Sequence, residues 1–282
     1  MVHHRKSATE SVEDFEMKKM LLAAASLISL ASCADAADLA ARPYTKAPAM
    51  IAAVHDWSGF YVGASAGYGW ADVDHYSLNT AGSFWTNGPA GAFGGLQSVH
   101  PSGAVYGGQV GYNWQSANWV FGIEAAGFGT DLRRTDISIF APATDLLSAR
   151  IEGLFTATGR IGYAIDRWLP YIKGGYAGAQ VRTINREPPP AFALDVSLDH
   201  GEWRSGFLVG GGLEYAITNN WIAGVEYNYM DFGSSTWSQL NRTAAGAVFN
   251  AAAPENYRDH VTMQTVTARL SYKFGGPIVA KY

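Results

Sequence analysis

From Trp57 onward the chain alternates large apolar residues with small or polar ones. Phe60, Val62, Ala64, Ala66, Tyr68 and Trp70 fall on one side, and Tyr61, Gly63, Ser65, Gly67 and Gly69 on the other. A period of two places successive side chains on opposite faces of an extended chain, so the pattern predicts a β-strand. The alternation recurs at 104–114 and 119–129, then at 154–164, 169–181, 204–217 and 221–232, and last at 261–274. The expectation is eight strands and an all-β fold.

The connections predict how the strands are joined. Gln115–Asn118, Ile165–Arg167 and Thr218–Asn220 are short, whereas 71–103, 130–153, 182–203 and 233–260 are long. Antiparallel neighbours accept tight turns, and strict alternation of short and long connections is the pattern of a transmembrane β-barrel. We therefore expect an eight-stranded antiparallel transmembrane β-barrel with short periplasmic turns and long extracellular loops. Trp114, Trp119, Trp168 and Trp221 flank the short turns and Trp57 opens the first strand, which predicts a periplasmic aromatic girdle. Asn118–Glu124 (NWVFGIE) is echoed by Asn220–Glu226 (NWIAGVE), so the repeating unit is a hairpin.

Charges within the strands oppose the larger apolar residues. Glu124, Arg160, Lys173, Glu214, Glu226 and Arg269 are the clearest cases, three acids against three bases. A charge facing lipid costs up to several kcal/mol at the bilayer midplane, so these six are expected to form an ion network in the lumen. An eight-stranded barrel is just wide enough for side chains to fill it, which favours a structural role over a water-filled pore. Lys273, near a strand end, is expected to reach the interface.

The N-terminal region reads as an address. Residues 1–16 resemble no signal n-region and read as an upstream extension from a misassigned start. Residues 17–36 carry a basic start, a short apolar core and a small-x-small site, which predicts a secretory signal peptide cleaved between Ala36 and Ala37. The alternative is lipidation at Cys33, which ends Leu30-Ala31-Ser32-Cys33. Residues 37–56 are rich in alanine and carry Pro43 and Pro48, as in a periplasmic linker; the barrel is assigned to 57–274 and a tail to 275–282.

Composition narrows the function. Of 282 residues, 48% are hydrophobic and 16% charged, which excludes a disordered chain, and the net charge of −4 offers no footprint for nucleic acid. A single cysteine excludes an internal disulfide, and no Cys/His spacing suggests a metal; no cofactor is expected. The histidines, His3, His4, His55, His75, His100, His200 and His260, all fall before the barrel or in long connections, so none is expected beside a strand-borne carboxylate. Asp74-His75-Tyr76-Ser77 contains acid, base and nucleophile types but reads as solvated loop. No enzyme is expected.

Several separated motifs carry a family likeness. Ala37-Asp38-Leu39, Tyr44-Thr45-Lys46-Ala47-Pro48, Trp57–Gly63 (WSGFYVG), Arg167-Trp168-Leu169-Pro170-Tyr171, Gly210–Tyr215 (GGGLEY) and Gly275–Tyr282 (GGPIVAKY) resemble the small outer-membrane immunogenic proteins. These are porin-like, opacity-type barrels of root-nodule and related Gram-negative bacteria. The resemblance implies an eight-stranded barrel in the cell outer membrane, with antigenic loops and no established catalytic residues. Leu270, Tyr272 and Phe274, with the terminal Tyr282, also look like an outer-membrane insertion signal. The expected partners are outer-membrane lipids and lipopolysaccharide, the barrel-insertion machinery, and host or environmental surface ligands, with the protein itself a monomer. The expected function is envelope integrity and surface interaction. The alternatives are a narrow diffusion pore and loop-borne haem or adhesin binding.

Overall fold

A computed structural model describes residues 55–78, 95–139, 145–188, 195–249 and 254–275, all within one compact unit, Ala53–Tyr282. Eight long strands dominate: β1 (Gly59–Ser77), β3 (Ser102–Ser116), β4 (Trp119–Ile137), β5 (Leu146–Tyr163), β6 (Trp168–Glu187), β7 (Val196–Ala216), β8 (Trp221–Gln239) and β11 (Glu255–Lys273). Three short ones, β2 (Gly95–Val99), β9 (Asn241–Thr243) and β10 (Val248–Phe249), lie in the long connections. Each long strand pairs antiparallel with the next, and β1 pairs with β11, so the sheet closes on itself. Closure leaves no unpaired edge among the spanning strands, a requirement for crossing lipid with β-structure.

The outward face records the thickness of the lipid layer. Six strands carry outward aromatic residues at both ends of a nine-residue stretch: Phe60–Tyr68, Tyr106–Trp114, Phe155–Tyr163, Trp168–Tyr176, Phe207–Tyr215 and Trp221–Tyr229. A tilted spanning strand needs about 9–11 residues, so these stretches fit a bilayer, framed by one aromatic ring at each interface. At the short-turn end, Trp119 meets Tyr163, Trp168 meets Tyr215 and Trp221 meets Tyr272 across neighbouring strands, with ring centroids 4.6–5.2 Å apart.

The strands are longer than the alternation alone suggests. They run outward through most of what reads as long loop, and the reason is an inversion of the pattern. In β1, outward Phe60, Val62 and Tyr68 give way to inward Ala71 and Val73, with Asp72 and Asp74 now facing out. Beyond the lipid the outer face meets water and the apolar face turns to the lumen. The same switch occurs in β5 (Leu147, Ala149 and Ile151 inward), in β6 (Ala177, Ala179 and Val181) and in β11 (Val261 and Met263).

Lumen ion network and its closures

The lumen is filled in layers. Beside the short turns, Trp57, Val120, Ala164, Leu169, Ala216 and Ile222 form a buried apolar cluster. Trp57 is fully buried there, which corrects its assignment to the girdle; Trp114, Trp119, Trp168 and Trp221 are 45–50% exposed on the outside. The parity explains the difference. Outward residues of β1 are even-numbered, so an odd position two residues before Gly59 projects inward. The Trp57 backbone N–H donates to Gln115 Oε1 (2.7 Å), holding this entering segment across the barrel mouth. Lys273 is also corrected: it points inward, and its ammonium donates to the Asp56 carbonyl instead of reaching the interface.

His55 packs edge-on against Trp57, with ring centroids 4.8 Å apart. Burial, together with the positive charges of Lys273 and Arg167, lowers its pKa to about 4. An unfolded histidine titrates near 6.5, so between about pH 6.5 and 4 the unfolded chain takes up a proton that the folded chain refuses. Stability is therefore expected to fall as pH drops through that window. Urea midpoints measured at pH 7 and pH 5 should separate for the wild type and converge for His55→Gln.

Above the first cluster lies the ion network, which brings together Glu124, Arg160, Lys173, Glu214, Glu226 and Arg269, the six charges expected in the lumen. Their side chains are only 2–3% exposed. Arg269 is the hub, with one guanidinium nitrogen on Glu124 and another on Glu226. Lys173 Nζ lies 3.2 Å from Glu124 and 2.7 Å from Glu226, while Arg160 pairs with Glu214 at 2.9 Å. Opposite charges in equal number leave the layer formally neutral, as burial demands.

Several network members are not evident from charge patterning. Tyr61 donates its hydroxyl to Glu124 (2.7 Å) and Tyr171 to Glu226 (2.5 Å); Arg160 Nε donates to Asn113 Oδ1 (3.0 Å), and Asn228 Nδ2 donates to Glu226 (2.9 Å). The Arg160 guanidinium sits over both tyrosine rings, 4.9 and 5.0 Å from their centroids. Inward parity was the available signal for all four. Space for the two rings comes from glycine: a Cβ on Gly111 would lie 2.4 Å from the Tyr61 hydroxyl, and one on Gly212 would lie 2.6 Å from that of Tyr171.

A second apolar layer covers the network from the outer side, built from Val73, Val105, Leu132, Ile151, Leu154, Leu208, Met230, Phe232, Val261 and Met263 among others. Beyond it lies a buried polar cluster, which overturns the expectation for the histidines. His75, in β1, is fully buried with its Nδ1 2.5 Å from Asp259 Oδ1 of β11, and its ring stacks on Tyr257 at 4.2 Å. A carboxylate only accepts, so Nδ1 carries the proton and Nε2 accepts from Asn185 Nδ2 at 3.2 Å. Thr183 Oγ1 (3.3 Å) and Trp237 Nε1 (3.0 Å) donate to the second oxygen of Asp259. His200 and His260 are strand residues too, and His100 lies 2.7 Å from Asp72. The apparent loop was strand, so residues far apart in sequence face each other across the ring. Within Asp74-His75-Tyr76-Ser77, side chains alternate between outside and inside and do not converge. Both nitrogens of His75 are engaged, one by Asp259 and the other by Asn185.

Leu270 and Phe274 face outward, exposed by nearly half, and Tyr272 lies on the same side. Ala36, Ala37, Cys33 and Tyr282 lie outside the described residues, as do the proposed signal peptide and most of the linker and tail.

Residues 21–274 match the family profile described as outer membrane protein beta-barrel domain. The chain belongs to this outer-membrane β-barrel family. Within that family it is 30% identical over 264 residues to a 31 kDa outer-membrane immunogenic protein of Brucella melitensis, covering 92% of this chain and 100% of that one. It is 27% identical over 262 residues to a 25 kDa outer-membrane immunogenic protein of Brucella abortus, with 92% and 99% covered. Among solved structures, the outer membrane protein OprG of Pseudomonas aeruginosa is similar at 13% identity with a TM-score of 0.43, covering 78% of this chain and 97% of that one. The family places this barrel in the Gram-negative outer membrane, with immunogenic proteins as relatives.

Proposed function

We propose that this barrel is a closed, non-enzymatic scaffold that contributes to envelope integrity and holds its outer strands and connections at the cell surface for contact with lipopolysaccharide and host or environmental surfaces. The observation that carries the reading is the filled lumen: an ion network with side chains 2–3% exposed, sealed between two apolar layers. Ions crossing such a barrel would have to part Arg269 from Glu124 and Glu226 and cross Leu208, Met230 and Met263 as well. A pore reading would instead need a continuous polar path.

Planar-bilayer conductance of protein refolded from Ala37 onward tests this. Insertion is confirmed first by the shift in gel mobility on heating. The expected result is an inserted, silent barrel. Discrete conductance steps, with ion selectivity altered by Glu226→Gln, would overturn the closed-scaffold reading and establish a narrow pore.

A further inference from the structure

The ladder between β7 and β8 closes the barrel at lipid depth and then stops. Its last pair is Phe207 with Asp231, and Phe207 belongs to the outer aromatic ring; pairing along this edge of β7 resumes only at Ser197, opposite Arg242 of β9. Between these points both strands stay extended and keep their other neighbours. β7 remains paired with β6 as far as Val196, and β8 with β11 as far as Gln239. The two strands part at a bulge. Pairing of β8 with β11 passes from Asp231 opposite Thr262 to Ser234 opposite His260, and Gly233 takes a φ of +63°. An extra residue of this kind bends its strand and interrupts the ladder. Backbone groups cannot be left unpaired in hydrocarbon, and the slot opens where the lipid ends.

Strand parity fixes which groups line the slot. The Asp199 carbonyl accepts from Gln239 Nε2 across it (3.1 Å), and the Asp195 carbonyl accepts from the Ala244 N–H. In an antiparallel strand a residue turns its N–H and C=O to the same side and the next residue turns them to the other. Gly201, Trp203 and Ser205 therefore also present theirs to the slot. All three are exposed, and none has a ladder partner on that side. Side chains back the slot from the lumen: His200 stacks on Trp237 at 4.2 Å, Ser235 donates to Glu202 (3.1 Å), and Arg204 donates to the Gly233 carbonyl (2.6 Å). Outward, it opens into a polar cleft of about 360 Å³, with Ser197, Asp199 and Gly201 on one lip and Gln239 and Arg242 on the other. The cleft holds charge of both signs that internal pairing does not use up. Arg242 donates to the Gly246 carbonyl and has no carboxylate partner among the described residues, and Glu152 lies 4.0 Å from an Arg182 already held by Asp199.

We propose that this slot is a docking site for an extended segment of a partner protein, which adds to the edge of β7 as an antiparallel strand and sets an acidic side chain against Arg242 and a basic one against Glu152. The chain's own β9 already pairs in this way over Val196 and Ser197, and the partner strand continues that pairing toward the membrane. Addition to a sheet edge draws affinity from the main chain and specificity from alternate side chains. The inference rests on the surface-contact reading and deepens it by giving that contact a place and a chemical class of partner.

The probe is a fluorescein-labelled decapeptide of alternating threonine and valine in which one threonine is replaced by glutamate and another by lysine. Its binding to the full chain, folded in detergent, is followed by fluorescence anisotropy. Saturable binding is expected, with amide exchange slowed at Gly201, Trp203 and Ser205. The fully N-methylated peptide, which has no ladder donors, should not bind. Gly201→Pro removes one slot-facing N–H and leaves the β6 ladder intact, and Ser205→Pro does the same nearer the membrane; each is expected to weaken binding about tenfold. Arg242→Glu should weaken it too, and exchanging the peptide's glutamate for lysine should restore it. Heat-dependent gel mobility verifies that each variant is a closed barrel. Absence of saturable binding, equal binding of the N-methylated peptide, or unchanged affinity in the proline or Arg242 variants would overturn the proposal. Slow exchange at Gly201, Trp203 and Ser205 in the free protein would do so as well, because the slot would then be zipped in solution. Each of these outcomes leaves a silent, inserted scaffold intact, whereas conductance steps would count against the scaffold reading itself.

Discussion

Replacing Arg269 by methionine is expected to destabilise the barrel by about 3–5 kcal/mol, the range for removing one partner of a buried ion pair. Arg269 bridges Glu124 and Glu226, and its removal leaves three carboxylates facing two cations in a layer closed to water. The length of the side chain is roughly kept, so the loss is one of charge more than of packing. Urea unfolding of the refolded protein, followed by tryptophan fluorescence and gel mobility, measures it. The combined variant Arg269→Met/Glu124→Gln should recover a large part of the loss, since neutrality returns. A double variant as unstable as the sum of the two singles would show that the pair does not couple, contrary to what their direct contact predicts.

The second large effect is expected at the outer end of the lumen. Asp259 accepts hydrogen bonds from His75, Thr183 and Trp237, so Asp259→Leu strands three buried donors at once. Each unsatisfied buried group costs about 1–3 kcal/mol, and a combined loss of about 3–5 kcal/mol follows once some relaxation is allowed. Asp259→Asn should cost less, because the amide oxygen still accepts. The location of the damage is a separate prediction. Amide exchange should accelerate in the outer parts of β1, β6, β8 and β11, with little change at the ion network, because the apolar layer around Met230 and Met263 lies between.

Much of the fold was legible because lipid imposes a simple rule. Where the outer surface faces hydrocarbon, apolar residues face out, and any charge on a strand must face in. That rule locates Glu124, Arg160, Lys173, Glu214, Glu226 and Arg269 without a structure. It stops working where the lipid ends. Beyond Tyr68 in β1 the polar positions are those facing outward, and a search for the same phase sees only irregular loop. His75 disappeared into that loop, and with it the contact to Asp259, which is 184 positions away in sequence. Trp57 was misplaced for a related reason. Its neighbours in sequence suggested an interface, but the strand parity that begins at Gly59 turns it inward. Tyr61 and Tyr171 were hidden differently. Tyrosines look like girdle residues until the facing glycines, Gly111 and Gly212, are seen to admit their rings into the lumen.

The inversion of the apolar face also bears on how the surface evolves. In the outer part of the barrel the stabilising contacts are made inside, by Val73, Leu132, Leu147, Ile151 and Val261, while Asp72, Asp74, Arg150, Glu152 and Arg258 decorate the outside. A molecule approaching from the medium meets the second set, together with exposed Tyr76, Ile137 and Trp203, and none of the first. Substitutions there alter the outer surface and leave the wall standing, since exposed positions away from packing contribute within about 0.5 kcal/mol. Surface identity and folding are thus written on opposite faces of the same strands, and sequence change can accumulate on one while the other is held constant.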